Sequence, residues 1–215
     1  RRLDAAGSLV PSGYSIDSRT IGAGQCFIAI QGPNFDGHDF IGGALKQGAV
    51  LVIARVDTKC PIEVGWPVIR VDDTLAALQR LANFARRKWG KTVVAITGST
   101  GKTTTKEMTS LLLQAHFRIF KSAGNFNNDF GLPLSLLKLA EEHEMAVLEL
   151  GMSRAGEIQR LSRIAEPNIG VVTNVRPVHL ENFRSITEIA HAKRELIESL
   201  PADGVAVLNN DDRRV

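Results

Sequence analysis

The segment VVAITGSTGKTTTKEM, residues 93–108, decides how the chain is read. Four apolar residues run into a loop of Gly, Ser, Thr and Lys, and a helix-like pattern follows it. Gly98 and Gly101 stand where a backbone must turn sharply, so that successive N–H groups and the start of a helix point at phosphate oxygens. Ser99, Thr100 and Thr104 complete the cradle. Lys102 is placed to reach the β- and γ-phosphates of a nucleotide, and the Thr103 hydroxyl to ligate Mg²⁺. The longer G-x-x-x-x-G-K-[ST] form would need glycine at position 96, where this chain has Ile96. The position of the loop between a strand and a helix favours a phosphate site over a plain tight turn. Nucleotide binding follows from these residues; a reaction does not.

Working outward, strand and helix alternate from residue 92. The sequence predicts TVVAIT, a helix over 102–115, FRIF, a long loop, a helix over 132–139, MAVLEL, a helix over 155–164, IGVVT, a helix over 187–199 and VAVLN. Such alternation with Val/Ile/Leu-rich strands predicts an α/β domain with a mostly parallel sheet covered on both faces. Ligands then sit beyond the carboxyl ends of the strands. Upstream, residues 26–30, 49–54 and 67–71 read as short buried strands, with a helix over DFIGGALKQG, a smaller α/β unit. DDTLAALQRLANFARRKW reads as an amphipathic helix capped by Asp72 or Asp73. Gly90 follows as a stop and hinge, so the expected domains are 1–89 and 90–215.

The 215 residues carry a net charge of +3, with acidic and basic side chains interspersed. Arg86, Arg87 and Lys88 form the densest basic cluster, read as a solvated helix end, so no nucleic-acid partner is expected. No apolar run approaches the roughly 18 residues that span a bilayer, and no signal-peptide pattern opens the chain. A cytoplasmic, monomeric protein is the expectation. Cys26 and Cys60 lack metal-ligand spacing and read as reduced structural thiols. The chain opens at Arg1 without methionine and stops just after a strand-like segment, which reads as a fragment.

Three further stretches fall at the ends of later strands. AVLELGMSRAGEI puts Glu149 at the end of a buried strand, where a carboxylate is costly unless paired or bound to a metal. VVTNVRPVHLENF puts Asn174 and His179 beyond the next strand; a lone loop histidine is more often structural than functional. AGNFNNDFGLP is a polar loop that either merely turns or binds an amide-rich substrate through Asn127 and Asn128. Lys193, in AHAKRELIESL, reads by itself as an exposed helix lysine.

Together TGSTGKTTTKEM, GNFNNDFGLP, LELGMSRAGEI, TNVRPVHLENF and AKRELI resemble the Mur ligases of peptidoglycan synthesis, and the resemblance extends upstream through SIDSRTIGAGQCFIAIQGPNFDGHDF. Within that family the NNDFG and GMSR forms resemble the branch that joins D-alanyl-D-alanine to UDP-N-acetylmuramoyl-tripeptide. The resemblance implies three domains: a UDP-substrate domain, a central ATP domain truncated here, and a C-terminal Rossmann-like domain absent from this chain. It implies ATP-driven formation of an acyl phosphate on the substrate carboxylate, attacked by the amine. Lys102 would neutralise charge, Thr103 and Glu149 would hold one Mg²⁺, His179 and a carbamylated Lys193 a second, and Asn174 would face the nucleotide. Ser18, Arg19, Asp36, Gly37 and His38 match segments near the uridine and pyrophosphate, and Arg154 would meet a substrate carboxylate. Rival readings are a sister ligase adding one amino acid, a folylpolyglutamate-synthase-like ligase, a P-loop kinase or GTPase, and a non-catalytic nucleotide-binding module.

Overall fold

Runs of β-branched and aliphatic residues become strands here, and along the inner ones, residues 92–97 and 145–149, both faces are buried, so alternation of polar and apolar residues is not needed. The computed structural model describes residues 9–32, 34–58 and 65–215; Cys60 lies outside the described residues. The chain divides into two compact units, one ending at Leu78 and one beginning at Gln79.

The first unit holds a four-stranded sheet in the order β1 (Tyr14–Ser15), β2 (Cys26–Ile28), β3 (Leu51–Arg55), β4 (Val68–Val71), every pairing parallel. The short β1 was not anticipated, and β2 is shorter than the predicted strand. Ahead of α1 (Ile41–Lys46) lies a 3₁₀ turn, Gly37–Phe40, which the sequence pattern merges with the helix. The Asp36 carboxylate caps that turn by accepting from the His38 N–H. Phe27, Ile41, Ala44 and Val52 form the core. Cys26 is a buried free thiol, pushed up to about 12 by burial. The helix α2 (Thr74–Trp89) carries the division between the units, and its Asp73 carboxylate accepts from Ala76 N–H at 2.9 Å, which settles the choice of cap in favour of Asp73.

In the second unit five strands pair in parallel: β5 (Thr92–Thr97), β6 (Ile119–Lys121), β7 (Met145–Glu149), β8 (Ile169–Val172) and β9 (Val205–Leu208), in the spatial order β6-β7-β5-β8-β9. The helices are α3 (Lys102–Leu113), α4 (Gly131–Leu136), α5 (Glu157–Ala165) and α6 (Ile186–Glu198). Side chains of β5 alternate between two cores: Val93 and Ala95 pack with Leu148, Leu132 and Ile158, whereas Val94 and Ile96 pack with Val147. The strand order reverses at β5, the place where parallel sheets open a crevice for ligands. Among the described residues no helix is long and apolar enough to cross a membrane.

Of the basic cluster in α2, Arg87 and Lys88 are exposed as expected, but Arg86 is not part of a solvated end. Arg86 is buried, with Nε donating to Ala165 O at 2.8 Å and Nη2 to Glu166 O at 2.9 Å. Asn83 Nδ2 donates to Arg163 O and Ile164 O, each at 3.1 Å. These are carbonyls that the end of α5 leaves without helical partners, and a cation there also suits the helix dipole. Sequence pattern alone cannot reveal an acceptor eighty residues away. We expect Arg86→Met to destabilise the protein by about 1.5–3 kcal/mol, the range for hydrogen bonds to a charged group, measured by urea unfolding.

Candidate active site

Because every strand of the second sheet runs the same way, the loops after β5, β6, β7 and β8 emerge on one edge. The loop after β5 is held from the segment after β8. Ser99 N–H donates to Asn174 O at 3.0 Å, Thr100 N–H to Asn174 Oδ1 at 3.1 Å, and Thr173 Oγ1 to Thr100 O at 2.7 Å. Asn174 Nδ2 donates to Thr100 O at 3.2 Å, so its side chain braces the loop. A Cβ at position 98 would lie 1.9 Å from Thr173 Oγ1, so only glycine fits there. Gly101, at φ +77°, is the residue preceding α3 and makes the left-handed turn into it. The Lys102 ammonium donates to Gly98 O at 3.0 Å, folded back over the loop, and Thr104 is exposed on the first turn of α3.

Glu149 is buried at the end of β7, and its carboxylate is shared. Thr103 Oγ1 donates to Oε2 at 2.8 Å and Asn127 Nδ2 donates to Oε1 at 2.8 Å. Two donors satisfy an anion that would otherwise be costly to bury. Lys102, Asn127, Asn128, Glu149 and His179 line one cavity of about 340 Å³. Asn128 uses its own Oδ1 to accept from the Phe130 and Gly131 N–H groups, shaping the loop. His179 is half-exposed at φ +57°, with Nδ1 3.6 Å from Glu181 Oε1.

The carboxylate and hydroxyl oxygens of Glu149 and Thr103 suit a hard divalent cation such as Mg²⁺. Among the described residues no three His, Cys, Asp or Glu side chains cluster as a metal site, so any second cation would need a further ligand. Lys193 is buried rather than exposed as its helix pattern suggests, and it also borders an apolar cavity with Val172, Val175 and Leu208. Burial, with the Lys102 charge adding to it, holds the Lys193 ammonium down at about 8. Arg154 is exposed and does not line the cavity around Glu149; its N–H reaches Glu157 Oε2 at 3.3 Å.

The remaining predicted residues lie in the first unit. His38 is buried; its Nδ1 contacts Asp36 Oδ1 and its Nε2 accepts from Arg55 N–H at 2.9 Å. That pattern puts the imidazole proton on Nδ1 and uses both ring nitrogens inside the unit. Gly37 is closed in by Ile30, whose N and O would each lie 2.7 Å from an added Cβ. Ser18 is half-buried, and Arg19 projects into solvent with its guanidinium gripped in two-point fashion by Asp17, at 2.9 and 2.7 Å. The hydrogen bond from Arg19 holds the Asp17 carboxyl down at about 2. Three residues with roles here were not singled out from sequence. Asp212 accepts from Val175 N–H and Asn209 donates to Thr173 O, both at 2.8 Å, fixing the segment after β8. The third, Lys106, is buried in α3.

A phosphate loop at the reversal point of a parallel sheet, facing a shared carboxylate, defines a nucleotide-binding α/β unit. Residues 96–215 match the model of the Mur ligase middle domain, and residues 11–86 that of the Mur ligase family, catalytic domain. The chain belongs to the Mur ligase family. It is similar to the UDP-N-acetylmuramoyl-tripeptide–D-alanyl-D-alanine ligase of Bacillus subtilis, at 44% identity over 200 residues that make up 93% of this chain and 44% of that protein. Among solved structures it resembles MurF from Acinetobacter baumannii, with a TM-score of 0.87 and 34% identity over 97% of this chain and 46% of that one. MurF from Thermotoga maritima in complex with ADP gives a TM-score of 0.85 and 38% identity, over 95% and 47% respectively. The chain thus spans less than half the length of these relatives.

Gly98→Ala drives a methyl group into Thr173, and we expect a loss of about 2–4 kcal/mol in urea unfolding together with loss of ATP binding by titration calorimetry. The Asp17–Arg19 pair sets a pH dependence. Because the fold lowers the Asp17 pKa, its contribution is complete above the ordinary aspartate range and is lost as pH falls towards about 2. A carboxyl-carbon NMR titration should place the midpoint near 2, and Arg19→Ala should move it upward.

Proposed function

We propose that this chain supplies the UDP-substrate and ATP-binding portions of a ligase that joins D-alanyl-D-alanine to UDP-N-acetylmuramoyl-tripeptide. The observation that carries the reading is the Glu149 carboxylate, held on one side by the phosphate-loop Thr103 and on the other by Asn127 of the Asn-rich loop. That contact sets the Gly98–Thr103 loop and the Asn-rich loop beside one cavity, which supports a reading in which ATP and a peptidyl carboxylate meet there. Family membership and the names of the relatives point the same way.

In this reading the backbone N–H groups of residues 98–103 cradle ATP, and Lys102 leaves Gly98 O to meet the β- and γ-phosphates. Thr103 and Glu149 would hold one Mg²⁺, with Asn127 keeping the carboxylate aimed, and that ion would supply charge neutralisation for phosphoryl transfer. The substrate carboxylate oxygen attacks the γ-phosphorus, ADP leaves, and the resulting acyl phosphate is attacked by the D-alanyl-D-alanine amine. The tetrahedral adduct loses a proton and expels phosphate, which leaves the amide. His179 and Lys193 would hold a second Mg²⁺, Lys193 as its carbamate, formed when the neutral amine adds to CO₂ and releases a proton. Its burial beside Lys102 favours the neutral amine that this addition needs. Asn174 holds the nucleotide loop. In the first domain, over residues 1–89, Ser18, Arg19 and the Asp36–His38 turn face the uridine diphosphate, Arg19 by exchanging Asp17 for a phosphate oxygen. Arg154 meets a carboxylate of the peptide.

The test uses the complete polypeptide with ATP, Mg²⁺ and UDP-N-acetylmuramoyl-tripeptide, following phosphate release and product mass. Release with D-alanyl-D-alanine and the matching mass gain is expected; release with a single amino acid instead would place the protein with a sister ligase. Residues 1–215 alone should bind ATP without sustained turnover. Full activity of a Lys193→Ala variant would count against the carbamate.

A further inference from the structure

Helix α3 turns an unexpected face inward. Met108, Leu111 and Leu112 are 60%, 70% and 72% exposed, whereas Lys106 and Ser110 are buried, Lys106 completely. An ammonium taken out of water is costly, and an aliphatic side chain would fill the same space without that cost. Lys106 finds no buried anion to offset it. Its Nζ donates to Ser122 O at 2.8 Å and to Gly124 O at 3.4 Å; Glu107 Oε1, also at 3.4 Å, belongs to a half-exposed side chain shared with Lys121.

Both carbonyls belong to the passage from β6 into the Asn-rich loop. The Ser122 hydroxyl accepts from Glu149 N–H at 3.4 Å, and its own N–H donates to Val147 O. Gly124 then turns at φ +51°, and three residues on Asn127 is tied twice, through its carbonyl to Gly151 N–H and through its amide to Glu149. Lys106 lies one helical turn after Lys102, on the same side of α3. One buried cation therefore joins the helix that carries Lys102 and Thr103 to the strand end that launches Asn127.

We propose that Lys106 is a positioning residue that sets residues 122–127 against the phosphate-loop helix, so that Asn127 meets Glu149 in register with the bound nucleotide. Its influence falls mainly on the carboxylate-bearing substrate, because the nucleotide loop is braced separately by Thr173 and Asn174; this last step rests on the ligase reading above.

Hydrogen exchange of the wild-type chain and of Lys106→Met and Lys106→Gln, without any ligand, tests the positioning role. Amides 124–131 should exchange about tenfold faster in Lys106→Met, with α3 and β5 unchanged, and Lys106→Gln, which keeps a neutral donor, should fall between. In the complete polypeptide the KM for UDP-N-acetylmuramoyl-tripeptide should rise about tenfold in Lys106→Met while the KM for ATP stays within about twofold. Should Lys106→Met fail to fold, Lys106→Gln carries both measurements. Unchanged exchange at 124–131 in a folded variant, or equal shifts in both KM values, would overturn the proposal. A loosened loop in a protein whose wild type forms no amide would sink the ligase reading and leave the positioning role standing.

Discussion

A carboxylate buried at the end of a strand must be compensated, and the way Glu149 is compensated organises the second unit. Its two oxygens are divided between a hydroxyl from the phosphate-loop helix and an amide from the Asn-rich loop. This shared anion ties the two loops together at the site, alongside the Lys106 bonds to Ser122 O and Gly124 O. Removing the carboxylate would leave the Thr103 hydroxyl and the Asn127 amide without the acceptor they share. The carboxylate is thus a structural joint before it is anything chemical.

Parallel pairing explains why such a joint can exist. With β5 at the centre and its neighbours drawn from later in the chain, residues 98, 149 and 173 arrive at the same edge although up to seventy-five positions separate them. The side-chain alternation of β5 supplies both cores, so the strand that begins the phosphate loop is also the most deeply anchored one. Helix α2 adds a clamp at the opposite end of α5, where Arg86 and Asn83 take up its last carbonyls.

Much of this was legible in the sequence because it depends on local chemistry. The Gly98–Thr103 loop, the apolar runs around it and the alternation of strands with helices are all written within windows of about ten residues. What was not legible depends on distant partners. Arg86 read as a surface charge because its acceptors lie at residues 165 and 166. Lys193 read as an exposed lysine because the helix period alone does not say that its position faces inward. Lys106 escaped notice because Met108, Leu111 and Leu112 supply the apolar stripe that would ordinarily mark the buried face of α3. In the first unit the motif DGH was visible, but only the fold shows that both nitrogens of the His38 ring are already committed to Asp36 and Arg55.

The bracing of the phosphate loop by Thr173, Asn174 and Arg176, whose N–H donates to Ser99 Oγ at 2.8 Å and whose carbonyl accepts from that hydroxyl at 3.0 Å, has a thermodynamic corollary. Ser99 and Thr100 are fastened through main-chain and side-chain bonds that require no ligand. A loop ordered in advance loses little conformational entropy when it closes on a guest, so the free energy of each contact is retained as affinity. Ordering has been transferred to folding, and under the proposed function residues 173–176 would set nucleotide affinity through the loop they brace.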